Sequence, residues 1–377
     1  MRKFGSSKTF SLIIISALLV YLYHITSKTS NTESSRKHYS KLMTIPLENT
    51  ILTDKIVLSF VVCDSRFNES LNLVKSVLLF TKTPVYFVIF TDDNLRHSFN
   101  ETLSNWKILL KNKLNFELQK INFPEDHEDD WMNLFSKCAA QRLFIPKLIP
   151  HIDSMIYVDT DTLFLGPIDE LWGFFSNFNS SQISAMTVED DNPNVSWYPR
   201  FAKHPFYGKY GLNSGVMLMN LTRMRNFGWV DYVTPIMLKW KLFIPWGDQD
   251  IINIIFHYHT DAVLVLSCRY NYRADQCMYG DACADATARG VHLLHGSRRA
   301  FHNHKQPAFQ AIYKAIDEYE LGTDSTHSLL NSIEKYLSEA PSSNCGNLKD
   351  AFLRVPIKTL NELYSVPTRV QAEICIN

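Results

Sequence analysis

Short apolar runs recur along the chain between residues 56 and 294, and their spacing limits the folds that the chain can adopt. The first run, Ile56–Val62, is apolar almost throughout, which is typical of a strand buried on both faces of a parallel sheet. A helical pattern over Ser70–Phe80 and a second run at Val85–Phe90 follow it, so the domain opens with a right-handed β-α-β unit. The later runs are Met155–Val158, Ile183–Met186, Val216–Met219, Val263–Leu266 and Val291–Leu294.

Helical patterns lie between or after these runs, at Cys138–Leu148, Asp248–His257 and Phe309–Glu320. Strands that alternate with helices predict an α/β domain whose sheet is mostly parallel and is flanked by helices. In such a sheet, ligands bind at the carboxyl ends of the strands. The polar residues that directly follow each apolar run are therefore the first candidates for a functional site.

The composition is that of a folded protein and excludes several other classes. The 377 residues include 24 Phe, 17 Tyr and 7 Trp, far more aromatic side chains than a disordered chain carries. With only 13 Gly, a collagen-like fibre is excluded. The 38 Lys and Arg residues balance 38 Asp and Glu residues, so the net charge is zero. Without an excess of positive charge we expect no nucleic-acid partner.

The N-terminal segment predicts a membrane anchor. No charged residue occurs from Thr9 to Ser27, and a helix of that length would span about 28 Å, close to the bilayer core. Arg2, Lys3 and Lys8 precede it, which predicts a type II, single-pass protein of the ER or Golgi with its globular part in the lumen. A cleaved signal peptide is the alternative, but no convincing Ala-x-Ala site follows the apolar region. The predicted parts are a cytosolic tail (1–8), the anchor (9–27), a polar stem (28–55), an α/β domain (56–320) and an accessory C-terminal segment (321–377).

Sequons and cysteines are consistent with a lumenal location. Five Asn-x-Ser/Thr sequons occur, at Asn68, Asn100, Asn179, Asn194 and Asn220. Three of the seven cysteines lie close together, at Cys268, Cys277 and Cys283. A disulfide among these three is expected in an oxidising lumen, whereas a zinc site is disfavoured because no Cys-x-x-Cys spacing occurs. The odd number of cysteines leaves at least one thiol unpaired.

Three residues at the ends of apolar runs predict a metal site. Asp159 and Asp161 directly follow Met155–Val158, and carboxylates two residues apart in extended backbone point to the same side. His295 follows Val291–Leu294 and would add an imidazole, which gives a mixed N/O ligand set suited to Mn²⁺. An Asp-x-Asp alone is also a common solvated turn, and a lone histidine is more often structural. That all three residues follow apolar runs by chance is much less expected than any one of them alone.

The sequence around these residues resembles glycosyltransferase family 8. The stretches that carry the resemblance are Cys138-Ala-Ala-Gln-Arg-Leu-Phe-Ile-Pro, Tyr157-Val-Asp-Thr-Asp-Thr-Leu-Phe-Leu, Asn213-Ser-Gly-Val-Met-Leu-Met-Asn, Trp246-Gly-Asp-Gln-Asp-Ile-Ile-Asn and Leu294-His-Gly. This resemblance implies a metal-dependent, retaining enzyme with the GT-A fold. Within the family, the aromatic stretch from Trp197 to Tyr207 and the Cys277-Met-Tyr-Gly turn resemble the glucoside xylosyltransferases.

The resemblance implies a specific reaction. The donor would be UDP-xylose, its diphosphate neutralised by Mn²⁺ on Asp159, Asp161 and His295, and the acceptor would be O-linked glucose on EGF-like repeats of Notch-type proteins, joined in α-1,3 linkage. One alternative is a family 8 enzyme that transfers glucose or galactose to another glycan. A second alternative, from a different class, is a catalytically inactive, membrane-anchored glycan-binding protein.

The resemblance also implies roles for residues around the donor. Many family members carry a Lys about six residues after the metal histidine, followed directly by Pro, whereas here Lys305 is ten residues on and Gln306 precedes Pro307. Arg298 is a possible substitute for that lysine. At the uridine, the resemblance assigns Cys63, Asp64 and Arg66, and at a phosphate or at the metal-binding carboxylates it assigns Arg142. It assigns Asn213, Ser214 and Gly215 to the wall that contacts the donor sugar and the acceptor, and Gly296 and Arg298 to the segment after the metal histidine.

Asp248 and Gln249 match the Asp-Gln pair of the family on the sugar side. Glutamine is a poor nucleophile, which favours attack from the face that the leaving group departs from over a covalent intermediate. Asp248 would orient the sugar hydroxyls and Gln249 would stabilise positive charge at the anomeric carbon. The same segment is also a good helix start, because Asp is favourable there. The aromatic side chains from Trp197 to Tyr207 could hold the acceptor glucose or pack in the core.

Overall fold

The computed structural model describes residues 55–364, apart from 135–137, 191, 193–194 and 324–325. The predicted cytosolic tail, the anchor and nearly all of the stem therefore lie outside the described residues, as do Asn194 and Cys375. Within the described part of the chain, no helix combines the length and the hydrophobicity that crossing a bilayer requires.

Nine strands form two sheets within the described residues. They are β1 (Ile56–Val62), β2 (Val85–Thr91), β3 (Leu114–Lys120), β4 (Ser154–Val158), β5 (Thr162–Phe164), β6 (Ser184–Val188), β7 (Leu212–Asn220), β8 (Val263–Leu266) and β9 (Leu293–His295). The main sheet has the order β3-β2-β1-β4-β7-β6-β8. All its neighbouring pairs are parallel except those of β7, which runs antiparallel to β4 and β6. The prediction of a mostly parallel sheet is thus confirmed.

Thirteen α-helices accompany the sheets in the described residues. They are α1 (Phe67–Phe80), α2 (Asp93–Leu109), α3 (Glu128–Met132), α4 (Ile145–Leu148), α5 (Ile168–Gly173), α6 (Tyr198–Phe201), α7 (Leu221–Phe227), α8 (Trp229–Trp240), α9 (Asp248–Tyr258), α10 (Ala284–Arg289), α11 (Pro307–Asp317), α12 (Thr326–Glu339) and α13 (Lys349–Tyr364). The helical patterns at Ser70–Phe80, Asp248–His257 and Phe309–Glu320 correspond to α1, α9 and α11.

The prediction of one continuous helix over Cys138–Leu148 is wrong. Residues Ala139–Phe144 form a 3₁₀ helix, and only the short α4 follows. Pro146 has no N–H to donate to the carbonyl of Arg142, so the two segments cannot merge into one α-helix. Cys138 itself has a φ of 77°, outside the helical region.

The predicted strand Val291–Leu294 is also displaced. It is β9, which ends at His295 and pairs with β5 in a separate two-stranded antiparallel sheet. In this pairing Thr162 lies opposite His295, so the residue after Asp161 is held beside the histidine. A short pairing between distant stretches of chain thereby gathers the three predicted metal ligands.

Alternate residues of β1 pack into different hydrophobic clusters on the two faces of the main sheet. Val57 packs with α4, α8 and α9, whereas Leu58 and Phe60 pack with α1. A third cluster joins α11 to the described part of the C-terminal segment, where Ile333 and Phe352 are fully buried.

Three disulfides link the described cysteines. They are Cys63–Cys138, Cys268–Cys283 and Cys277–Cys345. The bond between Cys268 and Cys283 confirms the disulfide predicted among the three neighbouring cysteines. Cys277 pairs instead with Cys345, which ties the segment between α12 and α13 to the turn that precedes α10.

Candidate active site

A cavity of about 470 Å³ opens at the carboxyl ends of β1 and β4. The antiparallel β7 contributes its first residues to the same edge of the sheet, and the start of α9 closes one side. Twelve of the fourteen predicted site residues line this cavity: Cys63, Asp64, Arg66, Arg142, Asp159, Asp161, Asn213, Ser214, Asp248, Gln249, His295 and Arg298. The other two, Gly215 and Gly296, lie behind its wall.

Asp159, Asp161 and His295 converge on one point of the cavity. Ligand atoms of the three side chains lie within 4.8 Å of one another. Nε2 of His295 is 3.4 Å from Oδ1 of Asp161 and 3.8 Å from Oδ2 of Asp159. Burial acts to raise the pKa of Asp161, but the hydrogen bond and charge of His295 and the charge of Arg66 lower it overall. These two carboxylates and one imidazole form a ligand set that fits a divalent cation.

The orientation of His295 is set by a buried amide that the sequence did not single out. Nδ1 of His295 lies 2.8 Å from Oδ1 of Asn271, and an N–H donated there leaves the Nε2 lone pair facing the carboxylates. The amide of Asn271 donates in turn to Oδ1 of Asn213 at 2.7 Å and to Oγ1 of Thr187 at 3.1 Å. The imidazole therefore rests on a buried row of polar side chains.

The two glycines support the site by leaving space. A Cβ atom on Gly215 would lie 2.1 Å from Cε1 of His295, and the carbonyl of Gly215 accepts the backbone N–H of Asp159 at 2.9 Å. A Cβ atom on Gly296 would lie 2.3 Å from the ring of Phe301, while its N–H donates to the carbonyl of Asp161 at 2.6 Å. Both positions require glycine because a neighbouring ring fills the space that a side chain would need.

Arg142 is a buried hub beside the metal-ligand cluster. Its Nη2 donates to Oδ1 of Asp159 at 2.7 Å, its Nη1 donates to the carbonyl of Ser214 at 2.6 Å, and its Nε lies 2.7 Å from Oδ2 of Asp248. Burial opposes the charge of Arg142, but the two carboxylates hold its pKa well above the ordinary value. Of the two roles expected for Arg142, the contacts support the positioning of carboxylates. Burial raises the pKa of Asp248 to about 6, although the charge of Arg142 opposes this rise.

Gln249 is held by partners on both ends of its amide. Oε1 accepts the backbone N–H of Ser214 at 3.0 Å, whereas Nε2 donates to Oε2 of Glu189 at 3.2 Å and to the hydroxyl of Tyr198 at 3.3 Å. Glu189 also lines the cavity and was missed in the sequence. The predicted apolar run ends at Met186, whereas β6 continues to Val188, and Glu189 is the first residue after the observed strand.

The Trp-Gly-Asp-Gln-Asp stretch both begins helix α9 and contributes side chains to the cavity. The helix begins at Asp248, and Gly247 precedes it with a φ of 56° and a ψ of −111°, a conformation that only glycine adopts easily. Oδ2 of Asp250 accepts the backbone N–H of Trp246 at 2.7 Å. Asp250 is thus a buried support for the loop, while Asp248 and Gln249 face the cavity.

Arginines supply positive charge around the opening. Arg66, Arg298 and Arg299 line the cavity together with the buried Arg142. Arg66 pairs with Glu69, and Nη1 of Arg298 donates to Oδ1 of Asp275 at 2.7 Å.

Two predicted residues need correction or comment. Cys63 lines the cavity as half of a disulfide, so it offers backbone atoms and a bonded sulfur rather than a thiol. Lys305 is exposed and does not line the cavity, whereas Arg298 does.

A model of the family described as glycosyl transferase family 8 matches residues 57–295, which is more than half of the chain. The chain belongs to glycosyltransferase family 8. Its cavity lies within the matched residues except for Ser297, Arg298 and Arg299. The predicted family and the predicted glycosyltransferase activity are both confirmed.

Relatives of this family 8 transferase include named enzymes. It is 42% identical over 328 residues to glucoside xylosyltransferase 1 of Rattus norvegicus, an alignment that covers 84% of this chain and 75% of the relative. It is 43% identical over 306 residues to glucoside xylosyltransferase 1 of Danio rerio, covering 78% and 76%. The resemblance to glucoside xylosyltransferases is thereby confirmed.

The fold of this family 8 transferase is shared with solved glycosyltransferases. The crystal structure of the glycosyltransferase GlyE of Streptococcus pneumoniae TIGR4 superposes with a TM-score of 0.51 at 15% sequence identity, over 77% of this chain and 65% of that chain. The prediction of a GT-A-like α/β fold with a mostly parallel sheet flanked by helices is therefore confirmed.

Proposed function

We propose that this protein transfers xylose from UDP-xylose to O-linked glucose on EGF-like repeats of Notch-type proteins, with retention of configuration and in α-1,3 linkage. The observation that carries the proposal is the 42% identity to a named glucoside xylosyltransferase over 84% of the chain. The structure supports the proposal, because the metal-ligand cluster and Gln249 line the same cavity.

Asp159, Asp161 and His295 would hold the metal ion, which we propose is Mn²⁺. When bound, the cation supplies positive charge that neutralises the diphosphate of the departing UDP. The protein prepares this site in advance: Asn271 fixes the imidazole, and Arg142 fixes Asp159. These hydrogen bonds hold the ligand atoms in place, which reduces the ordering that donor binding would otherwise cost.

Gln249 and Asp248 act on the sugar. Both carboxamide ends of Gln249 are held by hydrogen bonds, so its oxygen keeps a fixed position at the cavity wall. The neighbouring carboxylate of Glu189 already accepts Nδ2 of Asn213 at 2.7 Å and the amide of Gln249. A carboxylate engaged in this way is a weaker nucleophile than a free one, which favours attack on the face that UDP leaves. Asp248, ionised above about pH 6, would orient sugar hydroxyls.

Two other functions give different results in a donor comparison. A family 8 enzyme for another glycan would transfer glucose or galactose, and an inactive glycan-binding protein would transfer nothing. The intact metal-ligand cluster favours an active enzyme. Holding two partly buried carboxylates beside an imidazole costs free energy, and an inactive protein gains nothing from that cost.

We also propose that the enzyme is a type II glycoprotein of the ER or Golgi membrane with a lumenal catalytic domain. The uncharged stretch 9–27 supports the anchor. The three disulfides support an oxidising compartment, because such bonds persist in the secretory pathway and are rare in the cytosol.

The test is transfer to a purified, O-glucosylated EGF-like repeat with Mn²⁺ and one UDP-sugar at a time, read by mass spectrometry. We expect a pentose-sized mass gain from UDP-xylose and no hexose-sized gain from UDP-glucose or UDP-galactose. The Asp161→Asn variant should give no gain with any donor. A hexose-sized gain would replace the proposal with the first alternative, and no gain from an enzyme that binds UDP would support the second.

A further inference from the structure

We propose that a groove beside the catalytic cavity binds the polypeptide that carries the acceptor glucose. The proposal rests on the proposed function and adds a binding surface to it. We call this surface the acceptor groove; it is about 440 Å³ in volume and is lined by Leu134, Trp197, Phe201, Lys203, Lys241, Leu242, Phe243, Ile244 and Pro245.

The acceptor groove and the catalytic cavity share a wall of two tryptophans. Trp246 lines the cavity, Trp197 lines the groove, and their ring centroids lie 5.7 Å apart with an interplanar angle of 81°. The residue after Trp197 is Tyr198, whose hydroxyl accepts from the amide of Gln249. A ligand whose sugar lies at Gln249 is therefore next to the groove, and only the Trp197 and Trp246 rings separate the two surfaces.

The groove exposes apolar side chains to solvent. The exposed fractions are 88% for Leu242, 52% for Phe201 and 45% for Phe243. Contiguous exposed apolar surface of this kind marks binding sites more often than chance, because leaving it in water costs free energy that a partner recovers. Ile244, only 3% exposed, fixes the same loop from below. Ile244 thus anchors the loop that carries Leu242 and Phe243 in the hydrophobic core.

The charge of the groove indicates what it binds. Of the lining residues that the structure describes, two are lysines, Lys203 and Lys241, and none is acidic. Lys241 pairs with Asp130 outside the groove, so Lys203 is the less neutralised of the two charges. The groove therefore fits a peptide segment with an exposed apolar side chain and an acidic flank, on the acceptor protein next to its glucosylated residue.

A comparison of two acceptors tests the groove. A small aryl glucoside fills only the cavity, whereas the glucosylated EGF-like repeat reaches both surfaces. For the double variant Leu242→Ser, Phe243→Ser we expect kcat/KM for the repeat to fall about tenfold or more, as for loss of interface anchor residues. The kcat/KM for the aryl glucoside should stay unchanged. The matched control is Ile108→Ser, an exposed apolar residue on α2 with 79% exposure, which should change neither value.

Direct binding removes the dependence on the donor. We expect the immobilised repeat to bind the wild type at least about tenfold more tightly than it binds the double variant. The Lys203→Glu variant should also bind the repeat more weakly than the wild type does, and this loss should be larger at low salt than at high salt. Equal binding of all variants, or an equal loss of kcat/KM for both acceptors, would overturn the proposal. So would sedimentation that shows a wild-type dimer dissociated by the double variant while transfer to the repeat is unaffected, because the occupant would then be a second copy of the chain.

These readouts separate the groove from the proposed function. If UDP-xylose is not the donor, the proposed function fails, and the acceptor comparison is made with whichever UDP-sugar the wild type uses. The binding measurement needs no donor and decides the role of the groove in either case.

Discussion

Nδ1 of His295 lies 2.8 Å from Oδ1 of Asn271, and this buried contact decides which nitrogen of the ring faces the two aspartates. Replacing Asn271 by Leu removes the acceptor and frees the ring to rotate or to change tautomer. We expect Mn²⁺ affinity to fall about 10- to 100-fold, the usual effect of losing such a partner. Mn²⁺ titration followed by electron paramagnetic resonance measures it.

The control is Asn271→Asp, which keeps an oxygen for the N–H of His295. Its affinity for Mn²⁺ should fall less than that of Asn271→Leu. If both variants bind Mn²⁺ as tightly as the wild type does, the contact has no positioning role.

Gly215→Ala tests whether His295 needs the space above the backbone. The new methyl group would lie 2.1 Å from Cε1 of His295, so the imidazole must shift relative to Asp159 and Asp161. We expect Mn²⁺ affinity and transfer activity to fall together while the far-ultraviolet circular dichroism is retained. Gly173→Ala, at a position with no atom within 4 Å of the added methyl group, is the matched control and should keep both. Full Mn²⁺ affinity in Gly215→Ala would contradict the described packing.

The Cys63–Cys138 disulfide should matter for the donor as well as for stability. It joins the end of β1 to the segment that carries Arg142, and both its cysteines line the cavity. Replacing both cysteines by Ser should lower the free energy of unfolding by about 2–4 kcal/mol and raise the KM for the UDP-sugar severalfold. Urea unfolding and initial rates measure the two effects.

The matched control for that variant is the double Ser replacement of Cys268 and Cys283, which do not line the cavity. It should lose stability with an unchanged donor KM. An equal rise in KM for both variants would show that the effect is general loosening of the domain.

Acidification should destabilise the protein through His292. Burial lowers the pKa of His292 to about 4 from an ordinary value of 6.5, although the charge of Glu170 opposes this shift. Below pH 6.5, His292 therefore binds a proton in the unfolded chain, whereas in the folded protein it binds one only below about pH 4. Stability is lost as the pH falls through this window, by about 2 kcal/mol at pH 5. Urea unfolding of the wild type and of His292→Gln, compared at pH 7.5 and pH 5, should give a smaller pH effect in the variant.

Much of the fold followed from residue patterns, but strand direction did not. The apolar run at Val216–Met219 has the same pattern in either direction, so the antiparallel placement of β7 was not predictable from it. The edge strand β3 was missed although Leu114, Phe116 and Leu118 alternate with polar residues. The helix α2 was missed as well, although Asp92 caps it by accepting the N–H of Leu95.

The metal-ligand cluster could be predicted because its members follow buried strands. Asn271, which orients His295, could not be predicted, because it acts through buried hydrogen bonds to distant parts of the chain. Such contacts leave no period or spacing in the sequence. The same holds for Gly215, whose need for glycine arises from a ring 80 residues away in sequence.

The most direct test of the account is calorimetric titration of the enzyme with UDP, with and without Mn²⁺. We predict that UDP binds with Mn²⁺ present, that EDTA abolishes binding, and that Asp161→Asn binds UDP weakly under both conditions. Equal UDP affinity with Mn²⁺, with EDTA and in Asp161→Asn would contradict the account, because the Asp159, Asp161 and His295 cluster would then have no part in holding the donor.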